Sequence, residues 1–252
     1  MFAQATASGV VSIAAPARYL VIDIETGDAP EAAISAALEG WRPPANVKDP
    51  AKIADRQSDA AVKIRDRSAL LDAAPLLCIG TQTERGGIVF NGMDTIAHAM
   101  PSVQCMSCGT DRDMLLAFRQ WLDLYTSLDT VLVGHNIKAF DLPKLRSAYT
   151  RHKLKLPTIL APRILNEALL IVDTAQLFRS YSVEHREDFC PSLSAVCTGL
   201  DIPKPKAILS GAEVPRLHRE GKYAEILTYN AIDVAATARA YLLMTGQADD
   251  LL

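Results

Sequence analysis

Two acidic residues lie two positions apart inside an apolar stretch near the start of the chain. The stretch runs from Tyr19 to Glu25 and is rich in β-branched residues, which predicts a buried strand. Side chains two apart in a strand share a face, so Asp23 and Glu25 project together while Ile22 and Ile24 point the other way. Burying two adjacent carboxylates costs desolvation and repulsion, which a divalent cation with oxygen ligands would remove. The alternative is that the strand ends early and that both acids are solvated.

A third acid follows a later apolar strand. Residues 130–134 predict that strand, and Asn136 and Asp141 come directly after it. Ligands of open α/β sheets gather where strands end, so this position favours a binding role for Asp141. The alternative is that Asp141 caps the N-terminus of the following helix.

A fourth acid lies on the last predicted helix. Tyr229 and Asp233 are four residues apart, which brings the phenol and the carboxylate to one face of the helix. The alternative is a core tyrosine beside a surface acid. Each acidic group is weak evidence alone, but their occurrence in this order in one chain is much stronger evidence of a shared site.

Several further elements must position these residues. The clearest helical period covers residues 114–125, preceded by Thr110 and Asp113 at the spacing of a capping box. The polar, proline-punctuated stretch 27–75 predicts one or two surface helices within residues 51–71. Other predicted elements are a hairpin of strands 76–81 and 87–91, a strand at 169–173, and helices at 142–149, 192–200 and 221–244. This order predicts one α/β domain with a mixed sheet covered by helices.

Composition excludes several classes of protein. The chain has 252 residues, 49% of them hydrophobic and 22% charged, which fits a globular domain rather than a disordered chain or a multidomain polymerase or helicase. The net charge of −3 argues against binding of nucleic acid by bulk positive charge. No apolar stretch approaches the ~20 residues of a membrane span. Five irregularly spaced cysteines and no basic N-terminal signal lead us to expect a cytoplasmic protein without a cleaved leader.

The acidic motifs carry a resemblance to a known family. The stretches DIET (23–26), GHNIKAFDLPKL (134–145) and YNAID (229–233) are similar to those of DnaQ-like (DEDD) 3′→5′ exonucleases, above all the proofreading domain of family B DNA polymerases. Tyr229, with Thr228 where the histidine variant places its histidine, indicates the tyrosine subclass. Segments 44–54, 192–193 and 220–226 resemble stand-alone, often phage-encoded exonucleases, whereas 72–77 departs from their pattern.

The resemblance implies a fold and a domain plan. The expected fold is α/β, an RNase H-like mixed five-stranded sheet flanked by helices. Residues 1–18 would be an N-terminal extension, 19–246 the exonuclease domain with 27–75 as an inserted surface segment, and 247–252 a C-terminal tail.

The resemblance also implies a metal-dependent site. Two ions, Mg²⁺ or Mn²⁺ about 3.5–4 Å apart, would clamp the attacking and leaving oxygens of a phosphodiester. Asp23 would bridge them, Glu25 and Asp233 would hold the ion that activates water, Asp141 would hold the other, and Tyr229 would orient the water. Substrate-binding positions would be Thr26, His135, Asn136 and Phe140.

The expected activity is a 3′→5′ exodeoxyribonuclease, a hydrolase of ester bonds that releases nucleoside monophosphates from single-stranded or frayed DNA ends. The alternatives are an exoribonuclease of the same fold and an inactive module that binds nucleic acid or a polymerase. Expected partners are single-stranded DNA, with RNA as the other candidate, and a polymerase or another replication or repair protein, but no membrane. The expected location is the cytoplasm of a bacterial or phage-infected cell.

Two minor features complete the sequence. Basic residues gather in segments 138–155 and 204–222, each of which is either a strand-guiding groove or a solvated face. Cys105 and Cys108 have zinc-knuckle spacing but no partner pair, so a zinc site is disfavoured.

Overall fold

A computed structural model describes residues 15–93, 104–162, 170–184, 190–203 and 210–247. The strands are β1 (Tyr19–Thr26), β2 (Leu76–Thr83), β3 (Gly86–Asn91), β4 (Gln104–Ser107), β5 (Val131–Gly134) and β6 (Ile171–Asp173). The helices are α1 (Glu31–Gly40), α2 (Pro50–Asp66), α3 (Asp111–Tyr125), α4 (Asp141–Arg151), α5 (Thr174–Phe178), α6 (Leu193–Gly199), α7 (Val214–Arg219) and α8 (Tyr223–Met244). Nearly all of the predicted extension 1–18 and tail 247–252, and Leu169 of the predicted strand, lie outside the described residues.

The strands form one mixed sheet in the order β4-β3-β2-β1-β5-β6. The pairs β1–β2 and β2–β3 are antiparallel, which confirms the predicted hairpin, whereas β1–β5, β5–β6 and β3–β4 are parallel. The α/β class with a mixed sheet is confirmed, but the predicted number of five strands is wrong, because β4 adds a sixth. This edge strand has four half-buried or exposed residues and therefore lacks the apolar pattern by which strands are recognised.

Strand β1 divides the core between two helical layers. Its even-numbered residues Leu20, Ile22 and Ile24 pack in the main cluster with residues of α3 and α4. Its odd-numbered residues Tyr19 and Val21 pack against α8. The alternation of side chains along one strand therefore places α8 on the face of the sheet opposite α3 and α4.

Helix α3 matches its predicted apolar face. Thr110 caps its N-terminus, accepting a hydrogen bond from the Asp113 amide at 3.1 Å, and the Thr110 hydroxyl donates to the Asp113 carboxylate at 2.8 Å. The buried positions are Met114, Leu115, Phe118, Trp121 and Leu122. The ring of Phe118 meets that of Phe90 edge to face at 5.3 Å between centroids, so the helix is locked onto β3 by aromatic packing.

The segment 27–75 forms a small attached unit. It contains α1 and α2. Helix α2 agrees with the predicted surface helices within residues 51–71 and has no buried residue, whereas α1 lies before that range and was not predicted. Its two ends meet where the Gly27 amide donates to the Pro75 carbonyl at 3.0 Å. The Thr26 hydroxyl donates to the Ala69 carbonyl at 3.0 Å, so the unit is tied to the end of β1. Within the described ranges, no helix is long and apolar enough to cross a membrane.

The packing of α3 yields a stability prediction. Phe118 is fully buried, so Phe118→Ala should lower the free energy of unfolding by about 3–5 kcal/mol through lost burial and the cavity left behind. Urea denaturation followed by circular dichroism measures the change. Leu124→Ala on the same helix is the control, since Leu124 is 50% exposed and should change the free energy by less than about 1 kcal/mol. Equal effects of the two variants would contradict the assigned face.

Candidate active site

The acids of β1 lie on its α8-facing side. Asp23 pairs with Gly80 of β2 and Glu25 pairs with Cys78, and Glu25 is only 7% exposed. Helix α8 crosses this face and brings in Asp233, which is also buried. The predicted common face of Asp23 and Glu25 is therefore present, and their alternative as solvated acids past the strand end does not hold.

Asp141 reaches the same place from the other side of β1. Its carboxylate accepts a hydrogen bond from the backbone amide of Ile24 at 3.1 Å. Phe140 is the N-cap residue of α4 and makes no side-chain cap bond, so the alternative of Asp141 as the cap is wrong. Since Ile24 lies between Asp23 and Glu25 in sequence, this bond fixes the start of α4 beside both acids.

Burial and mutual repulsion perturb the carboxylates. Burial raises the pKa of Asp23 well above its usual range, and the charges of Glu25, Asp141 and Asp233 raise it further. The pKa of Glu25 is raised well above normal by burial, then by Asp233 and Asp141. Burial also raises the pKa of Asp141 to about 7, against its own amide and that of Ile24, which lower it. The four predicted acids therefore act on one another as one electrostatic cluster.

Tyr229 joins this cluster from α8. Its pKa is raised by burial first and then by the charge of Asp233, with a side-chain hydrogen bond to Asp233 adding to the rise. The phenol consequently stays protonated near neutral pH and serves as a hydrogen-bond donor rather than a base. Both predicted residues of this motif thus lie at the site.

Asn230 is a site residue that the sequence reasoning missed. It is fully buried, and its side-chain Nδ2 donates to the Asp23 carboxylate Oδ2 at 2.8 Å and to the Asp23 carbonyl at 3.2 Å. Its amide opposes the rise in pKa of both Asp23 and Glu25. The signal was present, because Asn230 precedes Asp233 by three residues and therefore shares its helix face.

Asp173 is a second residue that was missed. This buried carboxylate at the end of β6 accepts hydrogen bonds from the amides of Asn136 at 3.0 Å and Ala175 at 3.1 Å. It thereby caps α5 and fixes the loop between β5 and α4. Asn136 has a φ of 57° there, a left-handed conformation that asparagine tolerates better than most residues. In the sequence, Asp173 was recognisable only as the last residue of a predicted strand, which does not identify the amides that it would bind.

The predicted substrate-binding residues are less closely grouped. Thr26 donates to the inserted segment, and the two ring nitrogens of His135 contact the Thr174 hydroxyl at 3.1 Å and the Pro191 carbonyl at 2.9 Å. Phe140 is half-buried against the main core, with Lys144 Nζ 5.8 Å from its ring centroid. Thr26 is thereby tied to the inserted segment, and His135 is tied to Thr174 at the start of α5 and to Pro191 before α6.

Most basic residues of the two predicted clusters are engaged in the fold. In segment 138–155, Lys144 donates to the carbonyls of Ala69 and Leu71, Arg146 to those of Leu160 and Ala161, and Arg151 to those of Asp72 and Ala74. In segment 204–222, the ion pairs are Arg216 with Glu213 and Glu220, Arg219 with Asp28, and Lys222 with Glu220, while Lys204 and Lys206 lie outside the described residues. In segment 138–155 these side chains anchor loops, which is neither predicted alternative. In segment 204–222 the paired side chains of Arg216, Arg219 and Lys222 remain 45–60% exposed, in agreement with the predicted solvated face.

The donor set suits a hard divalent cation in its chemistry. All four acids offer oxygen, the ligand that Mg²⁺ and Mn²⁺ prefer, and a cation would relieve the repulsion that adds to the raised pKa of Asp23 and of Glu25. Across the described stretches, however, no three His, Cys, Asp or Glu side chains are arranged so that they could hold a metal ion as they stand. Ligation by this set therefore requires rotation of some of these side chains upon binding.

Cys105 and Cys108 do not show the properties of a zinc site. Neither is in a disulfide and both are half-buried, and burial raises the pKa of Cys108 to about 11. Because zinc binds the thiolate, this shift works against ligation.

The sequence matches no protein-family model, and the search of curated proteins likewise finds no match. The functional proposal therefore depends on the geometry of the acidic cluster and on the motifs that form it.

The raised pKa of Asp141 predicts a pH dependence of stability. Between about 4, its value in an unfolded chain, and the folded value of about 7, the folded protein retains a proton that the unfolded chain has released. Without divalent cations, the free energy of unfolding should therefore fall as the pH rises through this window, by at most about 4 kcal/mol for this carboxyl. Urea titrations in EDTA at a series of pH values measure the slope.

Asp141→Asn retains an acceptor for the Ile24 amide but does not titrate, so it should flatten this slope. Asp129→Asn, a substitution of an exposed acid before β5, is the control and should leave the slope unchanged. A slope of the same size in Asp141→Asn as in the wild type would contradict the assignment to this carboxyl.

Proposed function

We propose that the protein is a metal-dependent 3′→5′ exonuclease with an RNase H-like fold, which removes nucleoside monophosphates from single-stranded or frayed 3′ ends of DNA. The observation that supports this proposal best is the meeting of Asp23, Glu25, Asp141 and Asp233 in one buried cluster. These acids come from three separate motifs, and each motif resembles the corresponding one of DnaQ-like exonucleases. The mixed sheet with helices on both faces is compatible with the proposed fold.

The four carboxylates would hold two Mg²⁺ or Mn²⁺ ions in this proposal. Bound there, the ions would supply charge neutralisation for the phosphodiester and for the attacking and leaving oxygens. The protein contributes a largely buried, negatively charged cluster, and no described lysine or arginine is among the groups that shift the pKa of Asp23 or Glu25. Burial of Glu25, Asp141 and Asp233 limits the entry of bulk water.

The chain's own residues would orient the reaction. The protonated hydroxyl of Tyr229 lies in the field of Asp233 and would hold the attacking water by a hydrogen bond. The water oxygen forms a bond to phosphorus while the bond from phosphorus to the 3′-oxygen of the remaining strand breaks. The water proton leaves to solvent and the 3′-oxygen takes up a proton, so the products are a nucleoside 5′-monophosphate and a shortened strand.

Asn136 and Phe140 would shape the pocket for the terminal nucleotide. Asn136 is held by its backbone bond to Asp173, and the Phe140 ring is partly exposed at the start of α4. A half-exposed ring next to the acids is suited to stacking against a base.

Asp23→Ala should abolish nuclease activity, at least about a thousandfold, because it removes the central carboxylate of the cluster. The fold should persist, and stability in EDTA should rise because repulsion with Glu25, Asp141 and Asp233 is relieved. The assay is a gel time course on 5′-labelled single-stranded DNA and matching RNA with Mg²⁺, Mn²⁺ or EDTA. A ladder that shortens from the 3′ end only with metal supports the exonuclease, and the faster substrate identifies the sugar.

Asp129→Ala is the control and should retain full activity. Cleavage by Asp23→Ala at the wild-type rate would overturn the metal assignment. An intact substrate with wild-type protein, with both metals and both nucleic acids, would contradict the enzymatic proposal and favour a binding module.

Tyr229→Phe should slow hydrolysis by about 100-fold, since the water loses the hydroxyl that orients it. Metal binding should be preserved, because the phenol is not among the proposed ligands. Calorimetric titration with Mn²⁺ and the gel assay measure the two quantities on the same preparation. Loss of Mn²⁺ binding in this variant, or an unchanged rate, would show that the phenol has another role.

A further inference from the structure

Asn230 contacts the acidic cluster through one side of its amide. The Nδ2 group donates to both the carboxylate Oδ2 and the backbone carbonyl of Asp23, while the Asn230 side chain has no solvent exposure. Asp23 Oδ2 is therefore committed to a bond within the protein. The rotation of the Asp23 carboxylate is restrained, and its Oδ1 is turned to the other side.

Gly80 provides the space that Asn230 occupies. It lies directly opposite Asp23 in the β1–β2 pairing. A Cβ atom at this position would overlap Asn230 Oδ1 and would approach Val234 Cγ2 to 2.7 Å. Helix α8 can therefore come close enough for the amide to reach Asp23 only because residue 80 has no side chain.

The other side of the amide has no such bond. In the described part of the protein, the buried Asn230 Oδ1 has no hydrogen-bond partner. A buried acceptor left without a donor is unfavourable, and an apolar residue of similar size would avoid that penalty. Core stability alone therefore does not explain why an amide rather than an apolar side chain stands at position 230. The two hydrogen bonds to Asp23 do explain it.

We propose that Asn230 is a positioning residue that sets the orientation of the Asp23 carboxylate for cation binding, and that Gly80 is the residue that seats it. This inference rests on the proposed metal-dependent function. Partners that orient metal-binding side chains commonly change metal affinity or activity by 10–100-fold when they are removed. Aspartate at 230 would not replace Asn230, because it would present an acceptor to the Asp23 oxygens.

The test uses the whole protein with Asn230→Ala, Gly80→Ala and Thr237→Val. Gly80→Ala removes no polar group, but its added methyl group displaces the Asn230 amide. Thr237→Val is the matched control, because Thr237 lies on the same helix, is equally buried and has no hydrogen bond for its hydroxyl in the described part of the chain. Electron paramagnetic resonance titration gives the Mn²⁺ affinity, and initial rates on single-stranded DNA give kcat and KM separately.

Asn230→Ala should weaken Mn²⁺ binding by about 10- to 100-fold and lower kcat over the same range, with KM for the strand changed by less than about twofold. Gly80→Ala should act in the same direction, and Thr237→Val should match the wild type. Wild-type Mn²⁺ affinity and kcat in folded Asn230→Ala would overturn the proposal. If Gly80→Ala does not fold, Asn230→Ala alone decides.

A second readout separates this inference from the proposed function. The side-chain amide protons of Asn230 should exchange slowly with solvent in the metal-free wild type and should shift and exchange faster in Asp23→Ala, as followed by ¹⁵N-resolved NMR. If the wild type neither binds Mn²⁺ nor cleaves, the proposed function fails while this result still supports the positioning of Asp23. If the shift and exchange rate of the Asn230 side-chain amide are the same in Asp23→Ala as in the wild type, the proposal that Asn230 positions Asp23 is overturned.

Discussion

The repulsion among four clustered carboxylates, three of them buried, is the constraint around which the structure is arranged. Each acid loses hydration on burial and each ionised neighbour raises the cost of the next. Among the described residues, donors that offset part of this cost include the Ile24 amide for Asp141, the Asn230 amide for Asp23 and the Tyr229 hydroxyl for Asp233. The free energy that offsets the remaining cost must therefore come from the packing around the cluster. This packing holds the acids together although their mutual repulsion favours separating them.

Strand β1 carries both the clustered acids and the apolar side chains whose packing offsets the cost of burying them. Its even-numbered side chains Leu20, Ile22 and Ile24 lie in the largest apolar cluster, and its odd-numbered positions carry the acids. The same strand therefore anchors the core on one face and presents carboxylates on the other. The Ile24 amide bonds to Asp141, so the position of α4 depends on a residue whose side chain is in the core. A displacement of the core packing would reach Asp141 through that hydrogen bond and through Leu142 and Leu145 of α4, which lie in the same cluster.

Local periodicity accounts for the features that the sequence could predict. The period of two in β1 predicted the shared face of Asp23 and Glu25, and the period of α3 predicted its buried residues, and both are confirmed. The roles of Asn230 and Gly80 could not be derived in this way, because they depend on which strand α8 crosses and how closely. The edge strand β4 was not predicted for a different reason. It has no apolar pattern of its own and forms by pairing with β3.

The roles of the basic residues also depend on tertiary contacts that the sequence does not give. Counting lysines and arginines in 138–155 predicted either a groove or a solvated face, but the fold uses Lys144, Arg146 and Arg151 as donors to backbone carbonyls of other segments. A polyanion that approached the four carboxylates would meet repulsion from them. For an exonuclease, cations must accordingly neutralise the cluster before or together with the strand, because charge alone opposes the reverse order. In the proposed function, the restraint of Asp23 by Asn230 would belong to that first step, since it would orient a ligand while the site is still without its substrate.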